Sequence, residues 1–333
     1  MSNELAIYKQ NRIRALQNIY NANISRIYSA LIANVRSIQM SRVTFNIKQT
    51  MLNNLVRQYN RDFAALSDAF NKNRLAVQNY LPAAIKPAKR KRALLVGINY
   101  IGTQNELFGC INDVTSMKER IEKAGFSDIS VITDLTPKKP TRATILEGFK
   151  QLLSTSKQDD LLFFCYSGHG SYTLDRNNDE TDGRDEMIVS CDLQGIVDDE
   201  LKALIQTHLK PGATLFAMFD SCFSGSVLDL KYQYLDSLNY DNYTENDKQL
   251  ETQGNVFMIS GCTDNQTSAD AFINNRACGA MTWSLLEAAK EKTGCTWREL
   301  IKSMRDKLKI SKFEQIPQFS SGTFVNIDTP IFI

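Results

Sequence analysis

Two short segments concentrate the side chains able to do covalent chemistry: Tyr166-Ser167-Gly168-His169-Gly170 and Asp220-Ser221-Cys222-Phe223-Ser224-Gly225. A histidine between two glycines is poorly placed for packing and well placed to project into a crevice. Cys222 sits among small residues that leave its sulfur approachable. A thiol of pKa about 8.5 is mostly protonated at neutral pH. It needs an adjacent imidazole to raise its thiolate fraction and later to protonate a leaving amine. His169 and Cys222 supply that pair if their strands are neighbours. Backbone N–H groups at Gly170 and Cys222 suit the oxyanion of a tetrahedral intermediate, because glycine permits close approach. No side chain offers itself as a third member to orient the imidazole. The other cysteines, Cys110, Cys165, Cys191, Cys262, Cys278 and Cys295, read as buried filler.

Both segments follow apolar runs, so the elements that carry them come next. From Ala93 onward, short apolar runs alternate with helical periodicity, the pattern of βαβ units around a parallel sheet. The runs predict strands over 93–98, 130–133, 161–166, 214–219 and 256–260. Helices are predicted over 112–124, 141–154, 199–209, 281–292 and 297–308. His169 and Cys222 then fall just beyond the carboxyl ends of the third and fourth strands, where ligands meet an open α/β sheet.

The first eighty residues differ. No glycine occurs before Gly97 and no proline before Pro82. Ile13, Leu16, Tyr20, Ile24, Ile27, Leu31, Val35 and Ile38 recur at threes and fours, and Leu52, Leu55, Tyr59, Phe63, Leu66 and Phe70 repeat the spacing after a break near 41–46. A helical hairpin or self-associating coil over 1–81, a basic linker over 82–92 and a catalytic domain over 93–333 follow. Residues 1–88 carry twelve Lys or Arg against three acids, a balance of +9 that leaves −7 for the rest of a chain of net charge +2. A charge run is most often a solvated face; nucleic acid or another anionic surface is the less favoured reading.

Composition excludes several classes. No stretch reaches the roughly 18 apolar residues of a membrane span, and the polar start lacks the apolar core of a secretory signal. A cytoplasmic protein with no membrane partner is the expectation. Seven scattered cysteines without a C-x-x-C pair, and only two histidines, encode neither a disulfide framework nor a zinc site. Gly97 and Gly102 have P-loop spacing, yet Thr103-Gln104 follows where Lys and Ser or Thr are needed.

Five ordered motifs give the chain, over about residues 90–333, a resemblance to the metacaspases, caspase-like cysteine peptidases. They are Gly97-Ile98-Asn99-Tyr100, Gly109-Cys110-Ile111-Asn112-Asp113, the His169 and Cys222 segments, and Asp182-Gly183-Arg184-Asp185-Glu186. The resemblance implies a caspase-like three-layer sandwich with a mostly parallel sheet, a His169/Cys222 dyad, and a primary specificity pocket of Cys110, Asp113, Ser167 and Asp220. Two carboxylates there suit a P1 Arg or Lys and repel aspartate. It also implies calcium at Asp185, Asp198, Asp199 and Asp229, hard oxygen ligands without imidazole or thiolate partners. The stretch 175–186 is no EF-hand loop, because Glu180 stands where that loop needs glycine.

Phe223 departs from the histidine usual after the nucleophile, and the amino-terminal segment matches neither the Pro/Gln-rich nor the zinc-finger prodomain. The short His-to-Cys spacing resembles the type I arrangement. The polar stretch 231–254 reads as a lid, a disordered loop, or a place for self-cleavage at Lys231 or Lys248. Protein or peptide substrates follow, with oligomeric state open. The rival is a catalytically silent scaffold whose basic helical segment binds a partner; retention of both dyad residues and both pocket carboxylates speaks against it.

Overall fold

The computed structural model describes residues 2–79, 88–174, 184–222, 227–236, 239–246, 249–261, 270–273, 276–291, 294–325 and 327–331. They form two compact units, 1–85 and 86–333.

The first unit is an antiparallel hairpin of α1 (Ser2–Met40) and α2 (Phe45–Asn79). The apolar stripes read from the sequence are buried or half-buried throughout. Tyr20 packs on Phe70 and Tyr28 on Phe63, with ring centroids 4.7 and 5.0 Å apart, and Asn34 Nδ2 donates to the Tyr59 hydroxyl at 2.9 Å. Helices this long cannot hold their shape on propensity alone; the mutual burial of the stripes stabilises them.

The second unit runs, in chain order, β1 (Lys91–Gly97), α3 (Cys110–Lys123), β2 (Asp128–Thr133), α4 (Arg142–Ser154), β3 (Leu161–Ser167), β4 (Gly170–Leu174), β5 (Arg184–Val189), β6 (Gly195–Val197) and α5 (Asp198–His208). It continues β7 (Thr214–Asp220), β8 (Tyr232–Asp236), β9 (Asn239–Glu245), β10 (Asn255–Ser260), β11 (Asp270–Ile273), β12 (Arg276–Gly279), α6 (Ala280–Glu291), α7 (Trp297–Ile310) and β13 (Gln318–Ser321). The five predicted strands and five predicted helices all appear within a few residues of their expected bounds. β1 starts at Lys91, inside the stretch read as linker.

One eight-stranded sheet has the order β2-β1-β3-β7-β10-β13-β8-β9. The five strands from β2 to β10 are parallel and the last three pairings antiparallel. Both faces are covered. Leu95, Phe163, Cys165, Phe216 and Met218 pack with α3, α6 and α7, while Leu94, Val96, Leu162, Phe164 and Ala217 pack with α4 and α5. Coverage on both faces is why these strands read as unbroken apolar runs. On the first face Trp297 stacks on Phe257 and Phe319, at centroid distances of 5.5 and 4.8 Å.

The stretch 231–254, read as a lid, a disordered loop or a place for self-cleavage, contains β8 and β9, so for its described part the disordered-loop reading is corrected. Tyr232 and Tyr234 alternate into the core from β8 and pair with β13. A small antiparallel sheet, β4-β5-β6, stands beyond β3.

Candidate active site

Strand register sets the site. Gly97 on β1 pairs with Ser167 on β3, and Ser167 with Asp220 on β7, so the three residues form one row at the carboxyl edge of the sheet. His169 and Cys222 each lie two residues beyond that row, past the ends of adjacent strands. Gly168 N donates to the Asp220 carbonyl at 3.3 Å, which keeps the two exits together. A β-carbon at Gly170 would overlap the Cys222 carbonyl oxygen and lie 3.2 Å from Ser221 Cβ. The two backbone positions named as oxyanion donors are therefore in contact, and glycine is required there. His169 and Cys222 are both half-buried.

His169 Nε2 lies 2.7 Å from the Asn105 carbonyl oxygen. A carbonyl only accepts, so Nε2 carries the proton and Nδ1 is the basic nitrogen. Here is the orienting group that no side chain in the sequence announced. Two phenols grip the same residue. His169 N donates to the Tyr100 hydroxyl at 2.9 Å, the Tyr166 hydroxyl donates to the His169 carbonyl at 2.7 Å, and the Tyr100 ring packs on the imidazole at 4.6 Å between centroids. The Tyr100 hydroxyl in turn donates to the Val189 carbonyl at 2.6 Å, tying the loop to β5. Burial pushes both phenols well above their ordinary pKa, so they stay protonated donors.

Beside this pair, two carboxylates converge. Asp113 lies in the first turn of α3 and is 2% exposed; Asp220, at the end of β7, is 4% exposed. Asp113 accepts from Gly279 N at 2.9 and 3.0 Å and from Ser167 Oγ at 2.8 Å. Asp220 Oδ2 accepts from Thr282 N and Thr282 Oγ1 at 2.8 and 2.7 Å. A β-carbon on Gly279 would lie 2.8 Å from Asp113 Oδ2 and overlap Asp220 Oδ2, so both oxygens face one spot. Cys110, buried at the start of α3, stands one turn before Asp113. The thiol of Cys278, next to Gly279, is pushed up to about 11 by burial and then by the charges of Asp113 and Asp220. Such a site disfavours new anions. Sequence reasoning missed Gly279, Thr282 and the Asn105 carbonyl. Gly279 and Asn105 contribute a backbone group or a missing atom, which residue type does not advertise, and the hydroxyl and N–H of Thr282 reach Asp220 only through the fold.

The four predicted calcium ligands divide. Carboxylate oxygens of Asp198, Asp199 and Asp229 lie within 4.8 Å of one another. Asp185, buried on β5, is not part of that trio, which departs from the four-ligand expectation. Asp198 Oδ2 accepts from Glu186 N at 2.8 Å and Oδ1 from Asp199 N at 2.7 Å. Burial, then the charges of Asp229 and Glu186, push the Asp198 carboxyl up to about 9. Asp229 Oδ2 pairs with Lys202 Nζ at 3.3 Å, while its buried Oδ1 has no hydrogen-bond partner. An unsatisfied buried carboxylate oxygen among crowded acids fits a hard divalent cation. Phe223, Asp182, Gly183, Lys248 and most of 175–186 lie outside the described residues.

Comparison with known proteins finds similarity in sequence and in fold. The family model for the metacaspase peptidase C14 domain matches residues 91–231. Metacaspase-1 of Meyerozyma guilliermondii is 35% identical over 286 residues, covering 70% of this chain and 70% of the relative. Metacaspase-1 of Ajellomyces capsulatus is 36% identical, covering 72% of this chain and 82% of the relative. A solved protein of Geobacter sulfurreducens superposes with a TM-score of 0.54 at 25% identity, covering 71% of this chain and 95% of that one.

Proposed function

We propose, from the premise that the chain belongs to the metacaspases and is a cysteine-type peptidase, that it cuts peptide bonds after Arg or Lys, with Cys222 as nucleophile and His169 as base. The observation that carries the specificity is that the buried Asp113 and Asp220 each bring a carboxylate oxygen against the same face of Gly279. A guanidinium or ammonium beside them would meet two carboxylates at once through charge-assisted hydrogen bonds.

Nδ1 of His169, left basic by the Nε2 bond to Asn105, takes the Cys222 proton. The sulfur attacks the carbonyl carbon of the P1 residue, and the oxygen that becomes negative is met by backbone N–H groups of Gly170 and Cys222. The imidazolium then returns its proton to the departing amine, and water releases the acyl group from sulfur by the same base. Tyr100 and Tyr166 hold the imidazole in place through these steps.

Asp198, Asp199 and Asp229 would hold calcium, with Asp185 as the more distant candidate. When bound, the ion supplies positive charge that offsets the mutual repulsion of these acids. Asp229 follows Cys222 by seven residues, so a cation held there constrains the chain that leaves the nucleophile. Self-processing at Lys231 requires its carbonyl to leave Asn246 N, which donates to it at 2.8 Å just before β8 and just after β9. The protein acts in the cytosol in this reading.

Turnover of an Arg-P1 fluorogenic peptide tests the proposal. Cys222→Ala is expected to abolish it, and equal turnover by the variant rejects the nucleophile. Millimolar calcium is expected to raise the wild-type rate; indifference to both calcium and chelator rejects the regulatory ion.

A further inference from the structure

The hairpin of α1 and α2 has a feature that peptide hydrolysis does not use. Its seam closes with Ile38, which is buried. Beyond that last layer the turn projects large apolar side chains into solvent: Met40 is 83% and Phe45 78% exposed, and Val43 and Ile47 are exposed beside them. The turn is a built structure. Ser41 N and Oγ both donate to the Ile38 carbonyl, at 3.2 and 2.6 Å, and Lys48 Nζ donates to the Gln39 carbonyl at 2.7 Å. These bonds tie the turn together with Met40 and Phe45 exposed on it.

Charge around the tip is one-sided. Residues 5–61 contain nine Lys or Arg and no Asp or Glu. Arg36 and Arg42 are exposed next to the apolar tip. The first acid after it, Asp62, follows Lys48 by fourteen residues, about 20 Å along the helix. An exposed apolar tip collared by uncompensated cations matches one kind of partner in both respects. Apolar side chains enter the headgroup boundary of a bilayer, and cations meet anionic headgroups. Nucleic acid would satisfy the cations but offers Met40, Val43 and Ile47 no apolar medium. A second copy would cover the apolar groups but bring nine more like charges beside the first.

We propose that the tip at 40–47 is a docking surface for an anionic lipid bilayer, entered by Met40 and Phe45 and held by Arg36 and Arg42. The sequence-based expectation of no membrane partner came from the lack of a spanning segment, and surface docking needs none.

The test is co-sedimentation of the full chain, bearing Cys222→Ala to prevent processing, with vesicles of phosphatidylcholine alone or mixed with phosphatidylserine. Binding is expected only to the mixed vesicles, and raising salt from about 0.1 M to about 1 M should largely remove it. Arg36→Gln with Arg42→Gln should weaken binding by roughly 25-fold, about fivefold for each charge near the surface. Met40→Ser with Phe45→Ser should weaken it at least about tenfold while leaving the charge intact. Both pairs of side chains are exposed, so neither double variant disturbs the seam. Absence of binding to the mixed vesicles, equal binding to both vesicle types, or indifference to the serine substitutions overturns the proposal. So does a dimer, seen by light scattering, that the serine variant dissolves, or capture of labelled DNA in place of vesicles.

Discussion

Replacing Asp220 by asparagine removes charge from the proposed specificity pocket with little change of shape. The carboxylate is buried, and Oδ2 accepts two bonds from Thr282, at 2.8 Å from N and 2.7 Å from Oγ1. An asparagine amide oxygen can accept both. Deleting one partner of a buried, hydrogen-bonded charge pair costs about 2–5 kcal/mol. Asp113 keeps its own charge at the same spot, held by Gly279 N and Ser167 Oγ. That places the loss toward the lower end, about 2–3 kcal/mol. The corresponding fall in kcat/KM is roughly 30- to 150-fold, at tenfold per about 1.4 kcal/mol. The assay compares two peptides that differ only at P1, one with arginine and one with citrulline, its neutral isostere. Asp220→Asn should cut the arginine value by that factor and change the citrulline value by less than about threefold. Equal losses on both peptides would refute the reasoning, because they would show that Asp220 acts on the nucleophile or the fold and not on P1 charge.

Two further outcomes follow from the geometry. Tyr100→Phe keeps the ring against His169 but leaves His169 N–H and the Val189 carbonyl each without that hydroxyl, a cost of about 1–3 kcal/mol for an unsatisfied buried group. It should lower kcat by roughly tenfold or more with KM unchanged; a raised KM at full kcat would contradict a positioning role. The Cys278 thiol, pushed up to about 11, stays protonated in the folded chain where an unfolded thiol has ionised. Its contribution to stability is therefore complete below the ordinary thiol range and lost as pH rises from about 8.5 through about 11. Iodoacetamide at pH 8 should spare it, with a rate that climbs about tenfold per pH unit. Replacing Asp113 and Asp220 together by asparagine should speed the reaction, and modification of wild-type Cys278 at the rate of an exposed thiol would contradict the account.

Much of this molecule was legible because its central strands are covered on both faces. Leu161–Ser167 and Thr214–Asp220 are continuous apolar runs ended by polar residues, which marks both the strand and the edge where His169 and Cys222 emerge. The amino-terminal helices were legible for a related reason, since one stripe of each, at helical spacing, is buried or half-buried. What stayed hidden carries no such contrast. β8 is Tyr-Gln-Tyr-Leu-Asp and β13 is Gln-Phe-Ser-Ser, and both take their place by pairing, β13 lying between β10 and β8, a fact of tertiary structure. Gly279 gives the pocket an absent side chain and a backbone N–H, and Asn105 gives the imidazole a carbonyl. Residue type does not predict such roles. Asp113 and Asp220 were found through motif resemblance, and only the fold shows that they face the same spot.

The central claim is that the sulfur at Cys222, activated by His169, attacks the carbonyl of a substrate whose cationic P1 side chain occupies the Asp113/Asp220 pocket. The most direct test is mass spectrometry of the chain after reaction with an arginyl peptide bearing a thiol-reactive ketone. The account predicts a single adduct on Cys222 that forms far more slowly in His169→Ala and is suppressed by excess arginine-containing peptide. An adduct on any other cysteine, or one that forms as fast without His169, would contradict it.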